Sequence, residues 1–129
     1  MSDHLTPARA DTRADVRLRL PAMYTLIRVR PAGAQRYRWT GHIYDISLSG
    51  MRFELDSALE PGTAVEVRAM LPGAQHTTIE AAGRIIRLHD DADEPGPVRM
   101  GMVIESFATA MDRGKLERYL EAAQPRLAA

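Results

Sequence analysis

The sequence predicts a mainly β fold: six short strands closed into a small antiparallel β-barrel, with one C-terminal α-helix packed on it. Two observations carry this. Apolar residues recur at every second position in a series of short runs divided by Pro, Gly, Asp and Ser, and only after Phe107 does the apolar spacing lengthen to that of a helix. Many short strands followed by one helix are the pattern of a small barrel with a helical lid. At 129 residues the chain is one domain with one modest core. The expected organisation is an N-terminal arm over residues 1–12, the barrel with its helix over 13–122, and a tail over 123–129.

The arm mixes Asp, Thr, Pro, Ala and Arg without apolar periodicity, which describes a segment that is mobile without a ligand. It enters the barrel through Leu18-Arg19-Leu20-Pro21, where Pro21 favours an extended geometry at Leu20. A first strand is expected over Met23–Arg30, because Ile27 and Val29 alternate with Arg28 and Arg30. The second runs from about Tyr37 to Ile46. Met51, Phe53 and Leu55 alternate with Arg52, Glu54 and Asp56 in the third, and these two form an antiparallel hairpin. A fourth, around Val65, Val67 and Ala69, lies between Pro61-Gly62 and Pro72-Gly73. The fifth spans Thr77–Leu88; its Ile85-Ile86 pair leaves the buried face open, and Gly83 suggests a bulge or bend. After the loop His89–Pro97, Val98, Met100, Met102 and Ile104 mark the sixth. Leu116, Tyr119, Leu120 and Ala123 then make a helical stripe, with Thr109 as N-cap, Asp112 in the first turn and Pro125 as the stop.

Composition removes several function classes. Seventeen basic and 17 acidic residues give a formal net charge of zero, so the field that sequence-independent DNA or RNA binding depends on is missing. With two Phe, four Tyr and one Trp, a base-stacking sheet face is thinly supplied, and Trp39 reads as barrel packing. No run is long enough to span a membrane and the N-terminus lacks an apolar leader, so membrane insertion is not expected and the cytoplasm is. Cysteine is absent, which excludes disulfides and thiolate metal sites. His4, His42, His76 and His89 show no metal-ligand spacing, and the acidic loop Asp90–Glu94 lacks the ligand pattern of a Ca²⁺ site. No Ser has a nucleophile-elbow context and no glycine loop has the Walker spacing. No catalytic residue, metal or cofactor is expected, and the protein is read as a non-enzyme.

Charge is nonetheless unevenly placed. Before Asp45 stand Arg9, Arg13, Arg17, Arg19, Arg28, Arg30, Arg36 and Arg38 against Asp3, Asp11 and Asp15. Arg presents a flat, forked donor set suited to phosphates and purine edges. The second concentration of chemistry is Asp45-Ile46-Ser47-Leu48-Ser49-Gly50 between the second and third strands. Its Asp and Ser side chains can bond nearby backbone N–H groups, and Gly50 can take a positive φ without a Cβ clash. The same six residues also suffice for a hairpin turn with no further role.

Taken together, Arg13-x-x-x-Arg17 and Asp45-x-Ser47-x-x-Gly50 resemble the two signature motifs of PilZ domains, RxxxR followed by [D/N]xSxxG. Leu18-Arg19-Leu20-Pro21, Met100-Gly101-Met102-Val103-Ile104 with Phe107, and a closing helix extend the resemblance over about residues 13–122. It implies a PilZ-like six-stranded barrel that binds the bacterial second messenger cyclic di-GMP and passes its level to an effector protein by ordering the N-terminal arm. The ligand residues it implies are Arg13, Arg17, Asp45, Ser47 and Gly50. Arg forks match the O6 and N7 acceptors of guanine, and a carboxylate accepts from its N–H donors. Two departures accompany the match: Thr12 stands where many members carry another Arg, and Ser49 where a second Gly is frequent. Arg9 and Arg13 form a second RxxxR, so the functional pair stays open. The competing reading is a PilZ-like barrel that serves protein–protein contact alone, without nucleotide.

Overall fold

The computed structural model describes residues 16–73, 75–86 and 98–128, with side chains described as far as residue 123. The arm over residues 1–12, Arg9, Arg13, Thr12 and the loop His89–Pro97 therefore lie outside the described residues. The described residues form seven strands: β1 (Leu18–Arg19), β2 (Leu26–Pro31), β3 (Trp39–Ile46), β4 (Gly50–Leu55), β5 (Ala64–Met70), β6 (Thr78–Ile86) and β7 (Val98–Phe107). Helix α1 (Ala110–Ala128) follows. All pairings are antiparallel, and β2 to β7 close in the order β3-β2-β5-β6-β7-β4-β3, the expected six-stranded barrel. The two-residue β1, too short to show a period, is laid against the end of β3.

Each strand turns one face inward. Ile27 and Val29, Met51, Phe53 and Leu55, Val65, Val67 and Ala69, and Met100 with Met102 are all buried. Trp39 packs against this core at the barrel's end. The Ile85-Ile86 ambiguity resolves with Ile85 inside and Ile86 on the surface. The register shifts between Ala82 and Gly83, at the bulge that Gly83 suggested; a Cβ there would fall 1.8 Å from the Val103 carbonyl oxygen, so only glycine lets β7 approach.

Two expectations need correction. Met23 and Tyr24 belong to a 3₁₀ turn (Ala22–Tyr24), not to the first strand, and both are exposed. The turn exists to deliver Thr25, a buried residue whose hydroxyl donates to Ala22 O at 2.8 Å and accepts from Ile43 N at 2.7 Å. That contact satisfies a β3 amide just beyond Gly41, where the β2–β3 pairing ends. Helix α1 continues past Pro125.

The helix start is as the sequence implies: Asp112 N donates to Thr109 Oγ1 at 3.1 Å. The Asp112 carboxylate also accepts from Glu80 N at 2.9 Å, clipping the first turn to β6. Leu116 and Leu120 are buried in the core, and the Tyr119 hydroxyl donates to Pro72 O at 2.6 Å.

Candidate functional site

The site starts from an irregularity in β3. Ile43 pairs with Phe53 and Ile46 with Met51, all four buried, yet between them Asp45 alone pairs with Arg52. Tyr44 is the extra residue of a β-bulge. Strict alternation from Ile43 would aim Asp45 into the core and Ile46 out of it; the bulge reverses both. Asp45 thus stands on the outer face beside Arg52, only 8% exposed because its neighbours cover it.

The other flank of Asp45 is closed by β1, with Arg19 opposite Asp45 and Leu18 opposite Ile46. Leu20 N donates to Tyr44 O at 2.9 Å and completes the attachment. This places Arg17, just before β1, over the carboxylate: Nη1 donates to Asp45 Oδ1 at 2.7 Å, while Arg52 Nε stands 3.7 Å from Oδ2. One carboxylate between two guanidinium groups leaves a local excess of positive charge and unused donors. That combination suits a ligand carrying both phosphate and purine edges.

The hairpin that follows is held from within. Ser47 N donates to Gly50 O at 2.8 Å, Ser49 N donates to Ser47 Oγ at 3.3 Å, and Ile104 N donates to Ser49 O at 2.8 Å. Ser47 is fully buried and its hydroxyl is turned into the hairpin. Gly50 does not use a positive φ; among the described residues that conformation belongs to Gly33, Gly62, Gly73 and His76. Gly50 is instead needed for approach, since a Cβ would lie 2.5 Å from Met102 O on β7. Ser49, where a second Gly is frequent, sits in the turn without positive φ.

The outer face continues beyond the bulge. The Tyr44 hydroxyl donates to Glu54 Oε1, and Arg99 of β7 stacks over the Tyr44 ring at 4.9 Å. Burial pushes the Tyr44 phenol above its usual range, and the bond to Glu54 adds to this. His42 is occupied structurally, its Nδ1 being 3.0 Å from Thr25 O. Among the described residues no group of His, Cys, Asp or Glu could hold a metal ion, and no described helix is long and apolar enough to cross a membrane.

The sequence model of the PilZ domain matches residues 11–122. The chain belongs to the PilZ domain family. Solved structures agree in fold. The inhibitor of motility MotI/DgrA of Bacillus subtilis superposes with a TM-score of 0.67 at 19% identity, over 87% of this chain and 51% of that one. This PilZ chain therefore spans about half the length of MotI. The PilZ domain of YcgR from Escherichia coli, solved with c-di-GMP, gives 0.56 at 14% identity, covering 88% and 92%. The PilZ domain of CeSA from a cellulose-synthesizing bacterium gives 0.54 at 19%, covering 84% and 98%. No curated protein matches the sequence.

Within this PilZ domain, Arg17, Asp45, Ser47 and Gly50 come together at one edge of the barrel, while Arg13 lies outside the described residues. Sequence reasoning did not pick out Arg52, Tyr44, Glu54 or Arg99 as neighbours of the site. The alternation of β4 already put Arg52 and Glu54 on the outer face. The missing signal was the misfit of a carboxylate at an inward position beside Ile43 and Ile46, which calls for a bulge.

Proposed function

We propose that this PilZ domain is a receptor for cyclic di-GMP, a binding module without catalytic chemistry of its own. The observation that carries the reading is the Arg17–Asp45 pair, 2.7 Å apart, aimed outward by the Tyr44 bulge beside the Ser47–Gly50 hairpin. Guanine offers O6 and N7 acceptors to the Arg17 fork and N1–H and N2–H donors to the Asp45 carboxylate. The ligand's phosphates take the remaining guanidinium donors of Arg17, with Arg13 joining from the preceding segment. Ser47 and Gly50 act by shape: the first ties the turn from inside, and the second keeps it pressed against β7. The YcgR domain, of like fold, was solved with this ligand, which supports the choice among guanine compounds.

Capture of ligand by Arg13 and Arg17 orders the arm against the barrel edge, and an effector protein reads the changed surface. Calorimetric titration of the full chain with cyclic di-GMP tests the reading. Binding that is lost in Asp45→Ala supports it. No heat and no thermal shift at about tens of micromolar ligand removes it, and leaves a barrel for protein contact alone.

A further inference from the structure

From Arg19, opposite Asp45, an open groove of about 920 Å³ runs between Leu18–Pro21, the residues Gly73 and Gln75 to Thr78, and α1. Its charged side chains are Arg19, Lys115 and Arg118, joined by His76. No carboxylate is among the residues lining it, in a chain whose acids and bases balance at 17 each. Neither Arg19 nor Arg118 has an ion-pair partner among the described residues. Lys115 Nζ donates only to a backbone oxygen, Thr78 O, at 3.3 Å.

The groove is continuous with a second hollow of about 580 Å³, which shares Pro72, Gly73 and His76 and likewise lacks any acid. Its rim is apolar: Met23 is 74% exposed, Tyr24 70% and Met70 42%. Large apolar side chains this open, gathered beside a one-signed groove, are more than scattered surface residues. At the junction His76 has φ 49°, a left-handed conformation that costs a non-glycine residue about 1 kcal/mol or more.

We propose that this continuous surface docks an acidic polypeptide segment of a partner protein, its carboxylates lying along Arg19, Lys115 and Arg118 and its large apolar residues seated on Met23, Tyr24 and Met70. Charge complementarity selects an acidic partner. The apolar rim selects polypeptide over nucleic acid, because a phosphate backbone brings no apolar side chains to cover it. One wall of the groove, Leu18–Pro21, is continuous with Arg17, so ligand captured at Asp45 acts on the strand that shapes the groove. That coupling rests on the receptor reading; the docking surface does not.

The test is selection of a displayed random peptide library on the full chain, followed by affinity measurement of the enriched peptides. Enriched peptides are expected to be net acidic with two or more large apolar residues. Lys115→Glu/Arg118→Glu is expected to weaken them roughly tenfold or more. Arg118→Glu alone, which keeps the Lys115 bond to Thr78, is expected to weaken them in the same direction, with unchanged melting and unchanged affinity for cyclic di-GMP. No enrichment, enrichment without acidic bias, or binding indifferent to both charge reversals overturns the surface. If these peptides bind but cyclic di-GMP does not, the groove stands and the receptor reading falls; if cyclic di-GMP binds and the peptides fail, the groove alone falls.

Discussion

Arg17 and Asp45 touch, and that contact makes the sign of a double-mutant cycle predictable. A single bond, Arg17 Nη1 to Asp45 Oδ1 at 2.7 Å, leaves the other guanidinium donors of Arg17 available, and Oδ2 has only the looser ion pair with Arg52 at 3.7 Å. Ligand can therefore engage both residues without separating them, and the two act as one recognition unit. With side-chain exposures of 37% and 11%, the pair contributes little to folding: solvent screening holds it to about 1 kcal/mol or less. Each single truncation, Arg17→Ala or Asp45→Ala, is expected to cost about 1–3 kcal/mol of cyclic di-GMP affinity, roughly 5- to 150-fold. Removing Asp45 already leaves Arg17 unplaced, so Arg17→Ala on that background should cost less than it does alone. The double variant should fall short of the summed losses by about 0.5–3 kcal/mol. Calorimetric titration of the four proteins in one buffer supplies the cycle. Losses that add, or a double variant worse than the sum, would refute the unit, since the second result means that the pair competes with the ligand.

Three further outcomes follow from the geometry. Gly50→Ala should destabilise the barrel by about 1–3 kcal/mol in a urea melt through the clash with Met102 O, and a wild-type midpoint would show that close approach is not what fixes glycine there. Leu116→Ala empties a fully buried position between helix and barrel and should cost about 2–5 kcal/mol, a smaller loss meaning that α1 is loosely held. Tyr44 has a raised folded pKa, from burial first and the Glu54 bond second. In alkali the unfolded chain loses that proton before the fold does, so the contribution is complete below about pH 10 and is lost as pH rises through the folded value. Stability of Tyr44→Phe should fall less steeply than wild type above that pH, and parallel curves would contradict the assignment.

How far the sequence speaks can be seen residue by residue. Where one face of a strand is buried and the other wet, as at Ile27 and Val29 or at Met51, Phe53 and Leu55, period-two alternation reports the fold directly. Gly83 announced its bulge because a missing side chain is visible in the sequence. The Tyr44 bulge left only a faint trace in the sequence, the misfit of Asp45 between Ile43 and Ile46, and it is pairing with Met51–Phe53 that shows the slip. Met23 and Tyr24 misled for the opposite reason: they are apolar and lie next to a strand, yet exposed. The turn motif was legible as chemistry but not as geometry. Its glycine serves a neighbouring strand, and its buried serine serves the turn itself.

The stretch around the same bulge is also where β1 is attached. Strand β2 pairs with β3 only from Trp39 to Gly41, which leaves the second half of β3 without that neighbour. Thr25 covers one amide there and β1 covers the rest with two residue pairs and the Leu20–Tyr44 bond. Six barrel strands are locked by closure, whereas β1 is joined along one edge only, so its release breaks few backbone bonds and uncovers Leu18 and Leu20. Arg17 directly precedes this short attachment, and Leu18–Pro21 within and after it line the proposed docking groove. On the receptor reading, charge-assisted bonds that a ligand adds at Arg17 bear on this short attachment rather than on the closed barrel.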